Sequence, residues 1–356
     1  MPHLPPTRIP VAVLGATGAV GQTFVQLLEH HPWFRLAAVA ASERSAGKKY
    51  REATRWIGGD LPAGAADLPV LRCDPAAFDA PVVFSALDAG VAGEIETAFA
   101  RAGRVVLSNA RSFRMERDVP LVIPEINADH LALLDAQRKA RGWDGAIVTN
   151  ANCATIVIAM ALAPLHEAFG VRQVFAMTMQ AVSGAGYPGV PSLDILGNII
   201  PFIAGEEEKI ESETRKILGR LDGDSVSAAP FEVSAQANRV PVEHGHTVCL
   251  SVALNEKAAP DEALGALRAW RGAVDDLDLP SAPKPPLIVT DAPDRPQPRR
   301  DAGAGAGMAV TVGRVRKDPI LDLRLVATGH NTIRGAAGAS ILNAELMVAR
   351  GMIRGV

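Results

Sequence analysis

Cysteine is scarce in this chain: Cys73, Cys153 and Cys249 are the only three among 356 residues. An odd, widely spaced set offers no disulfide framework and fits a reducing compartment, so a cytoplasmic protein is expected. Aromatic residues are also few, at 4%. A core short of rings must be filled by aliphatic side chains, which suits a buried parallel sheet covered by helices. No basic run interrupts a net charge of −3, which argues against nucleic acid as a partner. The longest apolar run, Cys153 to Leu165, is too short to cross a bilayer. The first residues lack the basic and then apolar segments of a secretory signal. Neither a membrane, nor secretion, nor an internal repeat, nor a metal is expected.

What is present is alternation. Residues 9–14, 36–41, 81–86, 104–108 and 146–149 read as short apolar strands, with helical stretches to about Leu28, near 91–102 and at 127–141. Strands alternating with helices predict a parallel sheet over residues 1–150. Beyond 150 a helix opens near Cys153. Alternating runs follow at 172–180, 226–235, 246–254, 308–315 and 321–327, which predicts a mixed or antiparallel sheet and a second domain over 151–330. The stretch 280–307 is too rich in Pro and Gly for regular structure throughout and reads as a long excursion or interface loop. A helix from Gly335 onward would pack back on the first domain.

Between the first strand and its helix stand Gly15, Gly18 and Gly21, spaced G-x-x-G-x-x-G. A helix N-terminus offers free N–H groups and partial positive charge to a pyrophosphate, and glycine lets the phosphate approach. The alternative is a tight turn without a ligand. An NAD site places an acidic residue at the end of the second strand. Here the sequence runs Ser42-Glu43-Arg44-Ser45. Serines and a guanidinium suit a 2′-phosphate, which favours NADP over NAD. Glu43 either faces solvent or binds a ribose hydroxyl, and Arg44 has the plainer reading of a solvated loop charge.

Asn150 and Asn152 are good helix caps, and the residues after Cys153 are apolar on every side. Cys153 therefore falls in the first turn of a buried helix, a position that favours thiolate over thiol. Local sequence leaves two readings even: a covalent nucleophile or a small buried hydrophobe. The second applies to Cys73 and Cys249. A thiolate beside a nicotinamide suits the interconversion of an activated acyl group and an aldehyde. That chemistry needs a proton shuttle, oxyanion donors and a clamp for anionic groups. His246 is a candidate shuttle, with His244 as competitor. Arg239 is a candidate clamp, but its offset of seven from His246 does not by itself bring the two together. Gln180 precedes a glycine turn, Ser183-Gly184-Ala185-Gly186, suited to approaching a nicotinamide or to turning the chain. The run Glu206-Glu207-Glu208-Lys209 reads on its own as a solvated helix face.

Taken in order, GATGAVG, SERSAGK, SNARSFR, NANCATI, QAVSGAGYPG, GEEEKIE, RVPVEHGH, DRPQPRRD and HNTIRGAAGAS cover the chain almost end to end. With these motifs it resembles the aspartate-semialdehyde dehydrogenases, most closely their archaeal and fungal branch. The resemblance implies a Rossmann domain, completed by a C-terminal helix at 331–356, and an α+β catalytic and dimerisation domain. It implies that Cys153 is the acyl-thioester nucleophile, His246 the acid–base catalyst and Gln180 a group at the thioester. Arg239 would bind the substrate α-carboxylate and Glu206 its amino group. Lys209 and Arg114 would bind phosphate, with Asn152 close by. NADP would contact Gly15, Thr17, Gly18, Ala19, Val20, Gly21, Ser42, Arg44 and Ser45. It would also contact Ser85, Ala86, Leu87, Ser183, Gly184 and Asn331. A homodimer or homotetramer acting on a small amino-acid acyl phosphate follows. Two positions depart from the pattern: Ala151 stands where the family commonly has proline, and Gly329 where it has serine. Sister acyl reductases, acting on malonyl-CoA or acylglutamyl phosphate, and a non-catalytic NADP-binding relative are the competing expectations.

Overall fold

A computed structural model describes residues 7–353. Strands β1 (Ile9–Leu14), β2 (Phe34–Ala41), β3 (Val70–Arg72), β4 (Val82–Ser85), β5 (Val105–Ser108) and β6 (Ala146–Thr149) form one sheet. Their order is β3-β2-β1-β4-β5-β6, and every neighbouring pair is parallel. Helices α1 (Ala19–Leu28), α2 (Ala89–Arg101) and α3 (Leu133–Arg141) make the crossovers. Strands β4, β5 and β6 are buried at every residue, which is why they read as unbroken apolar runs rather than alternating ones. The order reverses between β1 and β4, so a crevice opens at the carboxyl ends of these strands.

One strand went unread here, and one local expectation needed correction. Strand β3 has only three residues and carries no periodic signal of its own. The helix expected over 127–141 is divided into one turn at Pro124–Asn127, a tighter turn at Ala128–Ala132, and then α3. Asn127 is the cause. Its side chain accepts from Ile123 N–H and donates to the Leu121 carbonyl, bonds that compete with a continuing helix.

Helix α4 (Cys153–Phe169) follows β6 directly. It leads into the second sheet, made of β7 (Val171–Gln180), β10 (Glu232–Arg239), β11 (His246–Leu254), β12 (Leu287–Thr290), β13 (Val310–Lys317) and β14 (Leu323–Gly329). The order is β10-β7-β11-β14-β13-β12, with parallel pairs at both edges and antiparallel pairs between. The run expected at 226–235 is divided between a small hairpin, β8 (Arg220–Asp222) with β9 (Ser225–Ser227), and the start of β10. Helices α5 (Glu206–Ile217) and α6 (Pro260–Ala269) cover the core face with α4. The Pro/Gly-rich stretch supplies β12 at the sheet edge, where missing N–H donors cost least, and a turn at Pro298–Asp301.

The chain then returns. Residues Ile333–Ala337 form a π turn, and α7 (Gly338–Ala349) enters the first core, where Ile341, Leu342, Leu346 and Met347 join Val11, Val13, Phe24 and Phe84. The tail expected as helix over 331–356 is helical to Ala349, and its last three residues lie outside those described. The expected fold class, a Rossmann-type parallel sheet plus an α+β unit with a mixed sheet, holds. No helix among the described residues is long and apolar enough to cross a membrane.

Candidate active site

The crevice of the first sheet is walled by main chain. Gly15 has φ +71°, and a Cβ there would lie 2.5 Å from the Ala86 carbonyl oxygen. A Cβ on Gly21 would lie 2.2 Å from the Gly15 oxygen. Gly18 stands at the head of α1, with no side chain capping the first turn. The turn is therefore closed where it packs and open where an anion would meet the helix N-terminus. Thr17, Ala19 and Val20 are half-buried along it, and Ala86 and Leu87 face it from the end of β4. Ser85 is buried, and its hydroxyl has no partner among the described residues. Ser42 and Arg44 are exposed and Ser45 half-buried in the turn after β2, and Arg44 has no ion-pair partner among the described residues. Glu43 faces solvent there. These groups fit a dinucleotide carrying a 2′-phosphate. A cavity of about 650 Å³ runs from Ala19 and Gln22 on α1 to Ser183, His244 and His330.

The second sheet brings Gln180, Arg239 and His246 to one end. Strands β10 and β11 flank β7, with Arg239 in register with Gln180, and Thr247 with Met179. The odd offset of Arg239 and His246 is thus resolved by placing them on two strands either side of a third. His246 Nε2 lies 3.1 Å from Cys153 Sγ at the head of α4. The other ring nitrogen, Nδ1, accepts from Ala181 N–H at 3.1 Å. A neutral imidazole then carries its proton on Nε2, facing the sulfur. Arg239 donates from Nη1 to the Ala181 carbonyl at 2.9 Å. Gly184 packs so close that a Cβ would come within 3.0 Å of Arg239 Nη1 and 3.1 Å of His246 Cε1. The competitor His244 stacks on His330 and bonds the Ser183 hydroxyl instead. Asn331 joins Ser183 to Gly245, donating to the Ser183 Oγ and accepting from Gly245 N–H.

Burial sets the protonation states. The Cys153 thiol is pushed up to about 12, first by burial and then by the Glu206 carboxylate, while Arg114, Lys209 and Arg239 pull it down. The thiolate expected from the helix N-terminus is thus opposed by desolvation, which outweighs the three cations together. His246 is pushed down to about 3, first by burial and then by Arg239, so a neutral imidazole faces a neutral thiol.

Helix α5 overturns the reading of Glu206–Lys209 as a solvated face. Glu206 is buried, accepts from Asn152 Nδ2 at 2.7 Å and Gln180 Nε2 at 3.1 Å, and pairs with Lys209. Its carboxyl is held below the usual range because these partners and Lys209 outweigh desolvation, the largest opposing influence. Asn152 Oδ1 accepts from Ala154 and Thr155 N–H at 3.0 Å, capping α4. Arg114 arrives from the loop after β5 and is 8% exposed.

Sequence reasoning missed four residues that build this cluster. Glu213 and Lys216 continue the Glu206–Lys209 stripe at helical spacing, beside the buried Ile210, Thr214 and Ile217, and that shared face was the available signal. Arg334 and Glu125 form a buried bidentate ion pair, at 2.6 and 2.8 Å, that fixes the π turn. The turn brings Gly335 so near Cys153 that a Cβ would lie 2.6 Å from the cysteine Cβ. No local signal in the sequence marks that pair. At Gly329, the departure from the resembled pattern, a Cβ would lie 2.9 Å from Val157 Cγ2, so the valine occupies the room a side chain would need. Among the described residues no group of acidic, His or Cys side chains is arranged to hold a metal ion.

A family described as "Semialdehyde dehydrogenase, NAD binding domain" matches residues 10–134, and one described as "Semialdehyde dehydrogenase, dimerisation domain" matches residues 162–334. The aspartate-semialdehyde dehydrogenase of Archaeoglobus fulgidus is 53% identical, over 96% of this chain and 98% of its own. That of Trichophyton rubrum is 48% identical over 98% and 99%. Among solved structures, the Candida albicans aspartate-semialdehyde dehydrogenase with NADP superposes with a TM-score of 0.90 at 43% identity, over 98% of this chain and all of that one.

Proposed function

This chain belongs to the aspartate-semialdehyde dehydrogenase family, and we propose that it interconverts L-aspartyl 4-phosphate and L-aspartate 4-semialdehyde with NADP. In the biosynthetic direction the Cys153 thiol gives its proton to a phosphate oxygen of the substrate as its sulfur attacks the acyl carbon, a C–S bond forms, and hydrogen phosphate leaves with the electron pair of the C–O bond. The bound reduced nicotinamide supplies the two reducing electrons that turn the thioester into the aldehyde. His246 Nε2–H, 3.1 Å from Sγ, donates to the sulfur as it sheds its proton and again when the aldehyde departs with the C–S electron pair left on sulfur, which regains a proton from solvent. Gln180 orients the acyl group, Arg239 binds the α-carboxylate, Glu206 the α-ammonium, and Lys209 and Arg114 the phosphate, with Asn152 fixing the head of α4. The product would feed lysine, threonine and methionine biosynthesis, as the resemblance implies.

The observation that carries this reading is the convergence of Cys153, His246, Arg239, Gln180 and Glu206 at one end of the second sheet, facing the glycine crevice of the first. For NADP, the supporting residues are the uncapped turn at Gly15–Gly21 and the free guanidinium of Arg44. We read the nucleotide-binding unit as residues 1–150 with 331–356 returned to it, the catalytic and dimerisation unit as 151–330, and the assembly as a homodimer in the cytoplasm. Steady-state assays decide between substrates. NADP reduction by aspartate semialdehyde should require inorganic phosphate and saturate with it. Turnover of malonyl-CoA without phosphate dependence would replace this reading with the sister acyl reductase.

A further inference from the structure

We infer that Glu213 is a positioning residue for the phosphate half of the site. The inference rests on the reading of Arg114 as a phosphate ligand. Glu213 lies about two turns along α5 from Glu206 and is 1% exposed. Its carboxylate makes two bonds at once. Oε1 accepts from Arg114 Nη1 at 2.9 Å, and Oε2 accepts from Asn152 N–H at 2.6 Å. Arg114 comes from the loop after β5, and Asn152 immediately precedes Cys153. One side chain therefore ties the anion-binding cation to the head of the nucleophile's helix.

Only a carboxylate does this. Both incoming groups are donors, and an amide at 213 would have one oxygen to accept and an NH2 that meets the second donor head-on. The negative charge also offsets the desolvated guanidinium, which would otherwise sit buried without a counterion. What Glu213 leaves free matters as much. Arg114 Nη2 donates to the Asn109 carbonyl at 2.7 Å, while Nε is buried with no partner among the described residues. With two arms of the fork held, the remaining N–H groups keep a fixed direction for a tetrahedral anion. The loop backbone is held separately. Lys216, on the same face of α5, donates to the carbonyls of Arg114, Glu116 and Val119 at 2.7, 2.8 and 2.9 Å. Losing Glu213 should therefore misdirect the Arg114 side chain while its loop stays in place.

The test measures aspartate-semialdehyde oxidation in Glu213→Gln and Glu213→Asp proteins with NADP and inorganic phosphate. The Asp variant keeps the charge but reaches only one partner, so it preserves the test if the Gln variant does not fold. Either variant should raise KM for phosphate by about tenfold to a hundredfold, the loss of a charge-assisted bond, and leave KM for the semialdehyde and NADP nearly unchanged. Phosphate protection of Cys153 against iodoacetamide should weaken by a similar factor, giving a readout independent of turnover. Combining Glu213→Gln with Arg114→Lys should cost less than the sum of the two, because both act on one guanidinium. An unchanged phosphate KM, or equal losses across all three substrates, would overturn the inference. Absence of phosphate dependence in the unsubstituted protein would instead overturn the reading of Arg114 itself.

Discussion

The two walls of the cleft are made from opposite materials. At the end of the first sheet the wall is backbone: Gly15, Gly18 and Gly21 clear the way to a helix end, and the nearby Ser42 and Arg44 stay at the surface. At the end of the second sheet the wall is buried charge: Glu206, Glu213, Arg114, Arg239 and Lys216 are all withdrawn from water, Glu206 bonded to Asn152, Gln180 and Lys209 and the others to one another or to main-chain groups. A backbone wall accepts any ligand with the right phosphate spacing and tolerates water. A wall of desolvated charge is costly unless every member keeps its partner, so it fixes one arrangement. The first suits a cofactor that comes and goes, and the second suits a reaction whose atoms must be held.

That contrast can be broken at either wall. The largest effect belongs to Cys153→Ser. Turnover should fall by at least roughly a thousandfold, because a serine hydroxyl gives up its proton far less readily than a thiol and an oxygen ester accepts hydride far less readily than a thioester. NADP affinity, followed by nucleotide fluorescence, should stay as it was. A large loss of NADP binding would mean that the two walls are one structure. Next comes Gly21→Ala, whose methyl would collide with the Gly15 carbonyl. KM for NADP should rise by about tenfold or more as the turn shifts, at a stability cost of about 1–3 kcal/mol. The pH profile of Cys153 alkylation in the cofactor-free protein should not move. If that profile shifts, the backbone wall reaches Cys153.

The smallest effect tests a buried group between the walls. Glu96 on α2 accepts from the Ser108 hydroxyl at 2.8 Å, while its other oxygen and the Ser85 hydroxyl have no partner among the described residues. Burial raises its carboxyl from 4.5 to about 7. Between those values the folded protein holds a proton that the unfolded chain has lost, so stability falls as pH rises through this window and the deficit is complete above 7. Glutamine stays neutral throughout and can donate toward Ser85. Thermal melts of Glu96→Gln should match the unsubstituted protein near pH 4.5 and exceed it by a few degrees at pH 8, a difference on the order of 2 kcal/mol. The same difference at both pH values would show that the fold does not raise the Glu96 carboxyl.

The same contrast explains what could be read from the sequence. The backbone wall was legible because its signals are local: an apolar strand, three glycines, a helix. The first sheet followed from the same alternation, apart from β3. The charged wall was not legible residue by residue. Arg239 and His246 meet only because β10 and β11 flank β7, a register that no spacing along the chain reveals. Glu206 and Lys209 read as a solvated helix face because charge on a helix is usually solvated. Those residues took their expected roles from the resemblance. Glu213, Lys216 and the Arg334–Glu125 pair went unread, since their meaning lies in partners distant in sequence. The thiolate expected at Cys153 shows the same limit, because the helix end is visible in sequence and the depth of burial is not.

Gly335 and α7 carry a consequence for the order in which the protein is made. Cys153, His246 and Arg239 all emerge from the ribosome before the π turn that presses Gly335 on Cys153 and before the helix that fills the first core. A nascent chain ending near residue 330 would hold all three and lack the segment that packs on Cys153. The segment that packs on the Cys153 Cα and Cβ is thus among the last of the described residues to be made.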